Sequence, residues 1–209
     1  NDGTLDILKK NRDKKTVLIS EKDEGIYYAM NKGLKQAKGD YIGFLNSDDF
    51  FSSNTVISLI VETLKNKEID CIHANVKFVD DNLKIVRKWS SCEYSPGLFS
   101  KSWTPAHPTF YVKKNIINNL FFSTNYFIAS DVEFMLKILE IKKAKSIYIN
   151  KSLVTMQIGG LSTQGLASTI KITIDLYRIH RENNLSFNIF KYLFYKFIKF
   201  FNQKYLKLK

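Results

Sequence analysis

Two short apolar runs flank a segment with helical periodicity near the start of the chain, and this pattern most constrains the fold. Residues 16–20 and 41–45 are apolar and typical of strands, whereas residues 26–38 carry apolar side chains at helical spacing and stop before Gly39. A strand, a helix and a strand so close together are typical of a βαβ unit with parallel strands. We therefore predict an α/β fold.

The rest of the chain favours a mixed arrangement. We predict a helix ending near Lys65, then two strands over 70–79 and 83–89 joined by a turn at 80–82. The later elements are predicted in this order: an irregular segment over 90–108, a strand over 109–112, a helix over 132–141, an extended segment over 147–158, and helices over 168–182 and 185–209. The irregular segment holds all three prolines and is a candidate binding loop.

Composition excludes several classes of protein. With 209 residues, 44% hydrophobic and 25% charged, wholesale disorder is excluded. The net charge of +12 favours anionic partners, although a lysine-rich solvated surface would give the same value. No nucleic-acid-binding motif accompanies the charge, so we expect no nucleic acid partner. Cys71 and Cys92 are too few to form a disulfide framework or a four-ligand zinc site. The longest charge-free stretch, 152–170, is too polar for a transmembrane helix.

Acidic residues follow both apolar runs. Asp48 and Asp49 come just after the run at 41–45, and ligands of open α/β sheets bind at the carboxyl ends of strands. Adjacent carboxylates there could hold Mg²⁺ or Mn²⁺ with substrate phosphates, or could simply serve a turn or helix start. Asp23 lies in the loop after the first run, where a ligand contact and a solvated loop both remain possible.

Two further residues are candidates for proton chemistry or ligand contact. Asp131 precedes the predicted helix at 132–141, where it could act as a general base or as a helix cap. His107 lies between Ala106 and Pro108 in the candidate binding loop, and we expect it to be the histidine nearest a site.

Five sequence blocks in order resemble family 2 glycosyltransferases, which have the GT-A fold. The blocks are SEKDEGIYYAMNKG at 20–33, AKGDYIGFLNSDD at 37–49, PAHPTFY at 105–111, FIASDVEF at 127–134 and MQIGGLS at 156–162. The resemblance is greatest to bacterial enzymes that build O-antigen or capsule. It implies a Rossmann-like domain over 1–165 that binds a nucleotide-sugar donor, followed by a helical appendage over 166–209.

The resemblance also implies roles for single residues. Residues 46–48 match the family's DxD-type motif, so Asp48 is expected to contact metal and diphosphate, with Asp49 as a second metal ligand and Mg or Mn as the ion. Asp131 matches the acidic residue that serves as catalytic base. The remaining expected site residues are Asp23 near the nucleobase, Asn31 and Gly33 behind the donor, and His107 on the acceptor side.

The sequence departs from the family pattern in places. Asn46 replaces the commoner first Asp of the motif, Tyr28 stands where many relatives have Asp, and Val132 where many have Tyr. Residues 1–4 match the end of a longer family stretch, so we expect this chain to lack the domain's first strand, the next helix and a base-binding Asp.

The C-terminal segment predicts an amphipathic helix. From Asn183 onward there are six lysines, nine aromatic residues and no acid. Phe190, Phe194, Phe197, Ile198, Phe201 and Tyr205 fall on one helical face, and Lys196, Lys199, Lys204 and Lys207 on the other. This partition suits the interface of an anionic membrane, but the aromatic face could instead pack on the catalytic domain or a second subunit.

These features predict a metal-dependent, inverting glycosyltransferase that moves a sugar from a nucleotide-sugar donor to an acceptor hydroxyl. The expected acceptor is a glycan or a lipid-linked glycan of a cell-surface polysaccharide. We expect the protein in the cytoplasm, peripherally bound to the inner face of the cell membrane. The alternative is a catalytically impaired, glycosyltransferase-like scaffold or binding subunit.

Overall fold

The computed structural model describes residues 2–65, 68–126, 128–158 and 165–205, with side chains given for all of these except 165–168 and 200–205. The helices are α1 (Thr4–Asn11), α2 (Ile26–Gln36), α3 (Val56–Leu64), α4 (Lys114–Ile117), α5 (Ser130–Leu136), α6 (Gly165–Glu182) and α7 (Ile189–Tyr205). The strands are β1 (Tyr41–Ile42), β2 (Asp49–Phe51), β3 (Cys71–Val79), β4 (Ile85–Trp89), β5 (Tyr111–Lys113) and β6 (Ser146–Gln157).

One mixed sheet organises the described residues. Its order is β1-β5-β3-β6-β2, and β4 also pairs with β3. The long central strands β3 and β6 run parallel, with Cys71 opposite Ser146 and Val79 opposite Gln157, whereas the other pairs are antiparallel. Nearly every residue of β3 is buried, as expected for a strand covered on both faces.

Two apolar clusters cover the sheet. One cluster joins α3 to β3 and β6 through residues such as Ile60, Val76 and Leu153. The larger cluster joins α2, α5 and the C-terminal helices, and it includes Leu34, Leu136, Leu176, Ile179 and Tyr192. Helices α6 and α7 thus share a core with the preceding residues, while the predicted domain boundary at 165 stays a prediction.

The predicted parallel βαβ unit is wrong. Residues 16–20 form no strand, and Val17 and Ile19 are 60% and 44% exposed. Only Tyr41 and Ile42 of the predicted second strand are paired, and their partner is the antiparallel β5. A strand forms only where a neighbouring backbone offers hydrogen bonds, and residues 16–20 have no ladder partner among the described residues. An apolar run alone does not show whether such a partner exists.

Other predicted elements hold with shifted boundaries. The helix predicted at 26–38 is α2, and the β3–β4 hairpin has its turn at 80–82, where Asp80 Oδ1 accepts hydrogen bonds from the backbone of Asn82 and Lys84. The strand predicted at 109–112 is β5, preceded by a 3₁₀ turn at His107–Thr109. The helix predicted at 132–141 begins earlier, at Ser130, and continues as a π turn over Lys137–Ile141. Strand β2 was not predicted.

Helix α7 confirms the helix predicted at 185–209, but the side that packs on the domain is not the predicted aromatic face. Tyr192 is buried on the domain, and the half-buried Lys196 and Lys199 lie on the same side. Phe190 and Phe194, by contrast, are 81% and 61% exposed. The hypothesis that the aromatic face packs on the catalytic domain is therefore wrong for these residues. The side chains of Phe201, Lys204, Tyr205 and Lys207 lie outside the described part.

In the described ranges, no helix combines the length and apolar character needed to cross a membrane.

Candidate active site

A cavity of about 660 Å³ brings most of the predicted site residues together. Its walls come from α2, the segment that follows β1, the start of α5 and the ends of β3 and β6. The lining residues include Gly33, Asn46, Ser47, Asp48, His107 and Asp131. A larger depression of about 1040 Å³ beside β1 and α4 is lined by other described residues and contains none of these six.

The two adjacent aspartates occupy different environments. Asp48 lines the cavity, whereas Asp49 begins β2 opposite Met156 and is buried. Asp49 Oδ2 accepts a hydrogen bond from Asn46 Nδ2 at 3.0 Å, and the Asp49 backbone N–H donates to the Asn46 carbonyl at 3.2 Å. Burial raises the pKa of the Asp49 carboxyl to about 6, with the Asn46 hydrogen bond opposing and the Asp48 charge adding to the effect. Asn46 therefore shapes the loop that presents Asp48.

The residues at this loop fit a divalent cation that also binds a diphosphate. Among the described residues no cluster holds three or more His, Cys, Asp or Glu side chains, so a closed all-protein cage is not formed there. Mg²⁺ and similar ions are commonly held by one or two carboxylates together with substrate phosphates and water. Asp48 offers such a carboxylate to the cavity, and Asp49 Oδ1 is a buried oxygen without a hydrogen-bond partner among the described residues.

Asp131 lies in the first turn of α5, on the cavity wall. Its Oδ1 accepts a hydrogen bond from the Val132 backbone at 2.8 Å. The Tyr27 hydroxyl donates to the Ile128 carbonyl at 2.7 Å and, more weakly, to Asp131 Oδ1 at 3.4 Å. Burial raises the pKa of Asp131, and the nearby His107 and these hydrogen bonds oppose the rise. A raised pKa makes a carboxylate a better proton acceptor near neutral pH.

His107 joins the cavity through the 3₁₀ turn before β5. The side chain is buried, and its ring stacks on Phe44 at 5.4 Å between centroids, with Phe122 edge-on at 5.6 Å. Burial lowers the pKa of His107, which keeps the imidazole neutral at neutral pH, although the Asp131 charge opposes this. Its Nε2 is a buried atom without a hydrogen-bond partner among the described residues, so its hydrogen-bonding capacity is unused beside the cavity.

The two predicted donor-binding residues on α2 differ in what they can contact. Gly33 lines the cavity, and a Cβ built there would meet no atom within 4 Å, so this position opens directly onto the cavity. Asn31 instead exchanges two hydrogen bonds with the backbone of Phe122, at 2.9 Å and 2.8 Å. Asn31 thus fixes α2 against the segment that carries Phe122 and does not itself line the cavity.

Asp23 is also absent from the cavity lining. Its Oδ1 lies 2.6 Å from Lys32 Nζ, and Lys32 pairs with Glu21 as well. This cluster fixes the loop that precedes α2, and the predicted contact of Asp23 with a nucleobase stays a prediction.

Sequence reasoning missed the aromatic residues that shape the cavity. Tyr27 contacts Asp131, Phe44 stacks on His107, and Phe78, near the end of β3, lines the cavity. Tyr27 and Phe44 lie inside the blocks that resemble the family, so their position could have marked them as candidate site residues. The place of Phe78 beside the cavity depends instead on long-range pairing between β3 and β6, which the sequence does not reveal.

The sequence profile described as glycosyl transferase family 2 matches residues 1–135, more than half of the chain. The chain belongs to this family. It is 25% identical to an uncharacterized glycosyltransferase of Methanocaldococcus jannaschii over 131 residues, which are 60% of this chain and 45% of that protein. It is 27% identical to the chondroitin synthase of Pasteurella multocida over 153 residues, which are 72% of this chain and 16% of that protein. The chain therefore spans less than half the length of these relatives.

Solved structures confirm the GT-A fold. The S. aureus TarS fragment in complex with UDP-GlcNAc superposes with a TM-score of 0.60 at 18% identity, covering 86% of this chain and 52% of that chain. The mannosyltransferase from Pyrobaculum calidifontis in complex with GDP-Man and Mn²⁺ superposes with a TM-score of 0.57 at 16% identity, covering 94% and 56%. These matches confirm the predicted fold.

Proposed function

We propose that this chain carries the donor site and catalytic base of a metal-dependent, inverting glycosyltransferase. The reaction moves a sugar from a nucleotide-sugar donor to an acceptor hydroxyl during synthesis of a cell-surface polysaccharide. One observation carries the proposal: Asp48 and Asp131, the two residues with the most specific predicted roles, line the same cavity. The structural relatives bound to UDP-GlcNAc and to GDP-Man with Mn²⁺ support a nucleotide-sugar donor.

The donor diphosphate lies at the Asp48 end of the cavity. When bound, Mg²⁺ or Mn²⁺ neutralises negative charge that develops on the departing nucleoside diphosphate. Asp48 would hold this ion, with Asp49 as a second carboxylate nearby. Gly33 leaves room for the donor because it adds no side chain to the wall of α2.

The acceptor hydroxyl attacks the anomeric carbon and loses its proton to Asp131. The carboxylate is suited to this role because burial raises its pKa, which makes it a stronger proton acceptor. Tyr27 and the Val132 backbone N–H orient the carboxylate. Neutral His107 can hydrogen-bond to the acceptor through Nε2. A single displacement of this kind inverts the configuration of the transferred sugar.

The acceptor is proposed to be a glycan or lipid-linked glycan, reached from the cytoplasmic face of the membrane. Support comes from α7, whose exposed Phe190, Leu193 and Phe194 form an apolar stripe on a chain of net charge +12. Aromatic residues of this kind insert at the lipid interface, and lysines add attraction to anionic lipids.

Flotation with anionic and neutral vesicles tests this membrane contact. Phe190→Ser with Phe194→Ser should abolish binding to anionic vesicles, whereas Phe121→Ser, which removes an exposed phenylalanine elsewhere, should not. Equal binding by all three proteins, or equal binding to neutral vesicles, would refute the membrane contact.

The catalytic proposal is tested by screening nucleotide sugars for thermal stabilisation with and without Mn²⁺. A donor that stabilises the chain only with the metal is then incubated with acceptors, and NMR reports the anomeric configuration of the product. The proposal expects metal-dependent stabilisation and an inverted product. A scaffold would give neither transfer nor slow hydrolysis of any donor, and a retained configuration would overturn the inverting mechanism.

A further inference from the structure

Three basic side chains lie on the face of the β3–β4 hairpin that α7 approaches, and none of the three lines the donor cavity. Arg87 comes from β4, and Lys196 and Lys199 come from α7. The Arg87 guanidinium lies 3.9 Å above the Phe78 ring, Lys196 Nζ lies 5.6 Å from the Tyr192 ring, and Lys199 Nζ lies 5.0 Å from the Trp89 ring. Each positive charge therefore lies over the face of an aromatic ring.

These cations have few acceptors in the described part of the chain. Lys199 Nζ donates to the Ser102 carbonyl at 3.2 Å. Arg87 and Lys196 donate no hydrogen bond and form no ion pair with any described residue, and both are half-buried. A guanidinium carries five N–H donors in a planar fork, so Arg87 retains most of its hydrogen-bonding capacity.

Burial and mutual repulsion disfavour the charged forms of these three side chains. Burial lowers the pKa of Arg87 and of Lys196. Burial, together with the positive charges of Arg87 and Lys196, lowers the pKa of Lys199 to about 8. Like charges held together and partly removed from water are unfavourable unless an anion compensates them.

Phosphate is the anion that best matches this arrangement. A guanidinium binds two phosphate oxygens with parallel N–H donors, and ammonium groups add charge from either side. Trp89 and Phe78 keep water from part of the cluster, which strengthens the attraction.

We propose that Arg87, Lys196 and Lys199 form a binding site for a phosphate group, carried either by a soluble phosphorylated compound or by a lipid headgroup. The site is built jointly by β4 and α7. Because Arg87 covers the same Phe78 ring that lines the donor cavity, the site adjoins that cavity and is separate from Asp48.

Calorimetric titration with inorganic pyrophosphate, in EDTA to exclude metal-dependent binding at Asp48, tests the soluble source. The intact chain should bind saturably, and Arg87→Gln and Lys199→Gln should each weaken binding about tenfold or more, because each removes a charge-assisted hydrogen bond. Lys88→Gln is the matched control: it removes one positive charge from an exposed neighbour on β4 and should leave binding unchanged. Arg87→Lys should recover part of the affinity.

Vesicle binding tests the lipid source. Phosphatidylcholine vesicles with and without phosphatidic acid are compared for the intact chain, Arg87→Gln and Lys88→Gln. A headgroup ligand predicts that Arg87→Gln loses the binding that phosphatidic acid promotes, that Lys88→Gln retains it, and that pyrophosphate binds weakly. A soluble ligand predicts that pyrophosphate binds saturably and that Arg87→Gln and Lys88→Gln bind the vesicles equally. Circular dichroism checks that each variant is folded. If a folded Arg87→Gln matches Lys88→Gln with both probes, the phosphate site is refuted, as it is if neither probe binds the intact chain.

Discussion

Replacing Lys199 by Met should remove a pH-dependent loss of stability from the chain. The ordinary pKa of lysine is 10.5, and burial with two neighbouring cations lowers that of Lys199 to about 8. Between these pH values the unfolded chain holds a proton that the folded chain has released, so the free energy of unfolding rises with pH. Below pH 8 the folded protein carries the full cost of the buried charge.

The size of this effect follows from the two pKa values. The difference between 10.5 and about 8 corresponds to about 3 kcal/mol, and the partial exposure of the side chain reduces this to about 2–3 kcal/mol. Lys199→Met has no proton to release in this window. As the pH rises from about 8 to 10.5, the free energy of unfolding of the intact chain should therefore rise by about 2–3 kcal/mol relative to that of Lys199→Met.

Urea unfolding in phosphate-free buffer between pH 7 and pH 11 measures this difference. Other titrating groups are common to both proteins and cancel in the comparison. Lys191→Met removes an exposed lysine from the same helix and should follow the intact chain at every pH. A stability difference that stays constant with pH, or one that Lys191→Met reproduces, would refute the assignment of a strained cation to position 199.

Three further predictions concern the candidate active site. Asp131→Asn should lower the rate of transfer about 10²–10⁴-fold while leaving donor affinity unchanged. A near-normal rate in a single-turnover assay would show that Asp131 is a helix cap and not the base. Asp48→Ala should abolish the Mn²⁺-dependent part of nucleoside diphosphate binding in calorimetry, and unchanged metal dependence would exclude it as a ligand. Asn31→Leu should cost about 2–4 kcal/mol in urea unfolding, because both backbone groups of Phe122 lose their partners, and Asn31→Asp should cost less.

The sequence predicted several of the cavity-lining residues, but it did not predict the pairing of the sheet. Asp48, His107 and Asp131, which line the cavity, could be selected from the sequence because each stands next to a turn or helix start that the residue pattern reveals. The pairing of β3 with β6 joins residues about 75 positions apart in the chain, as Cys71 with Ser146, and no local pattern encodes it. The same limit explains why β2 was missed, since its three residues are a strand only because β6 lies beside them.

Asn31 shows a second limit, which concerns what a polar side chain does rather than where it lies. Its place on α2 was predicted correctly, but its partners are the backbone N–H and carbonyl of Phe122, 91 residues away. Backbone groups are the same at every position, so a sequence pattern cannot reveal them as partners. Tyr27 was overlooked for a related reason, because the partner that its hydroxyl approaches most closely is the Ile128 carbonyl.

The orientation of α7 is the feature that sequence periodicity could not decide, and it bears on both proposals about this helix. Periodicity separates an aromatic face from a lysine face but does not say which face packs inward. Long lysine stems can cover apolar surface, and here the ammonium groups of Lys196 and Lys199 lie over aromatic rings. Packing the lysine face inward leaves Phe190 and Phe194 exposed, which is unfavourable in water, and gathers positive charge against Arg87, which is unfavourable without an anion. A lipid surface would remove the cost of the exposed phenylalanines, and a phosphate group would remove the cost of the gathered positive charge. The two costs can be tested separately. The phenylalanine variants should change vesicle binding alone, and Arg87→Gln should change phosphate binding.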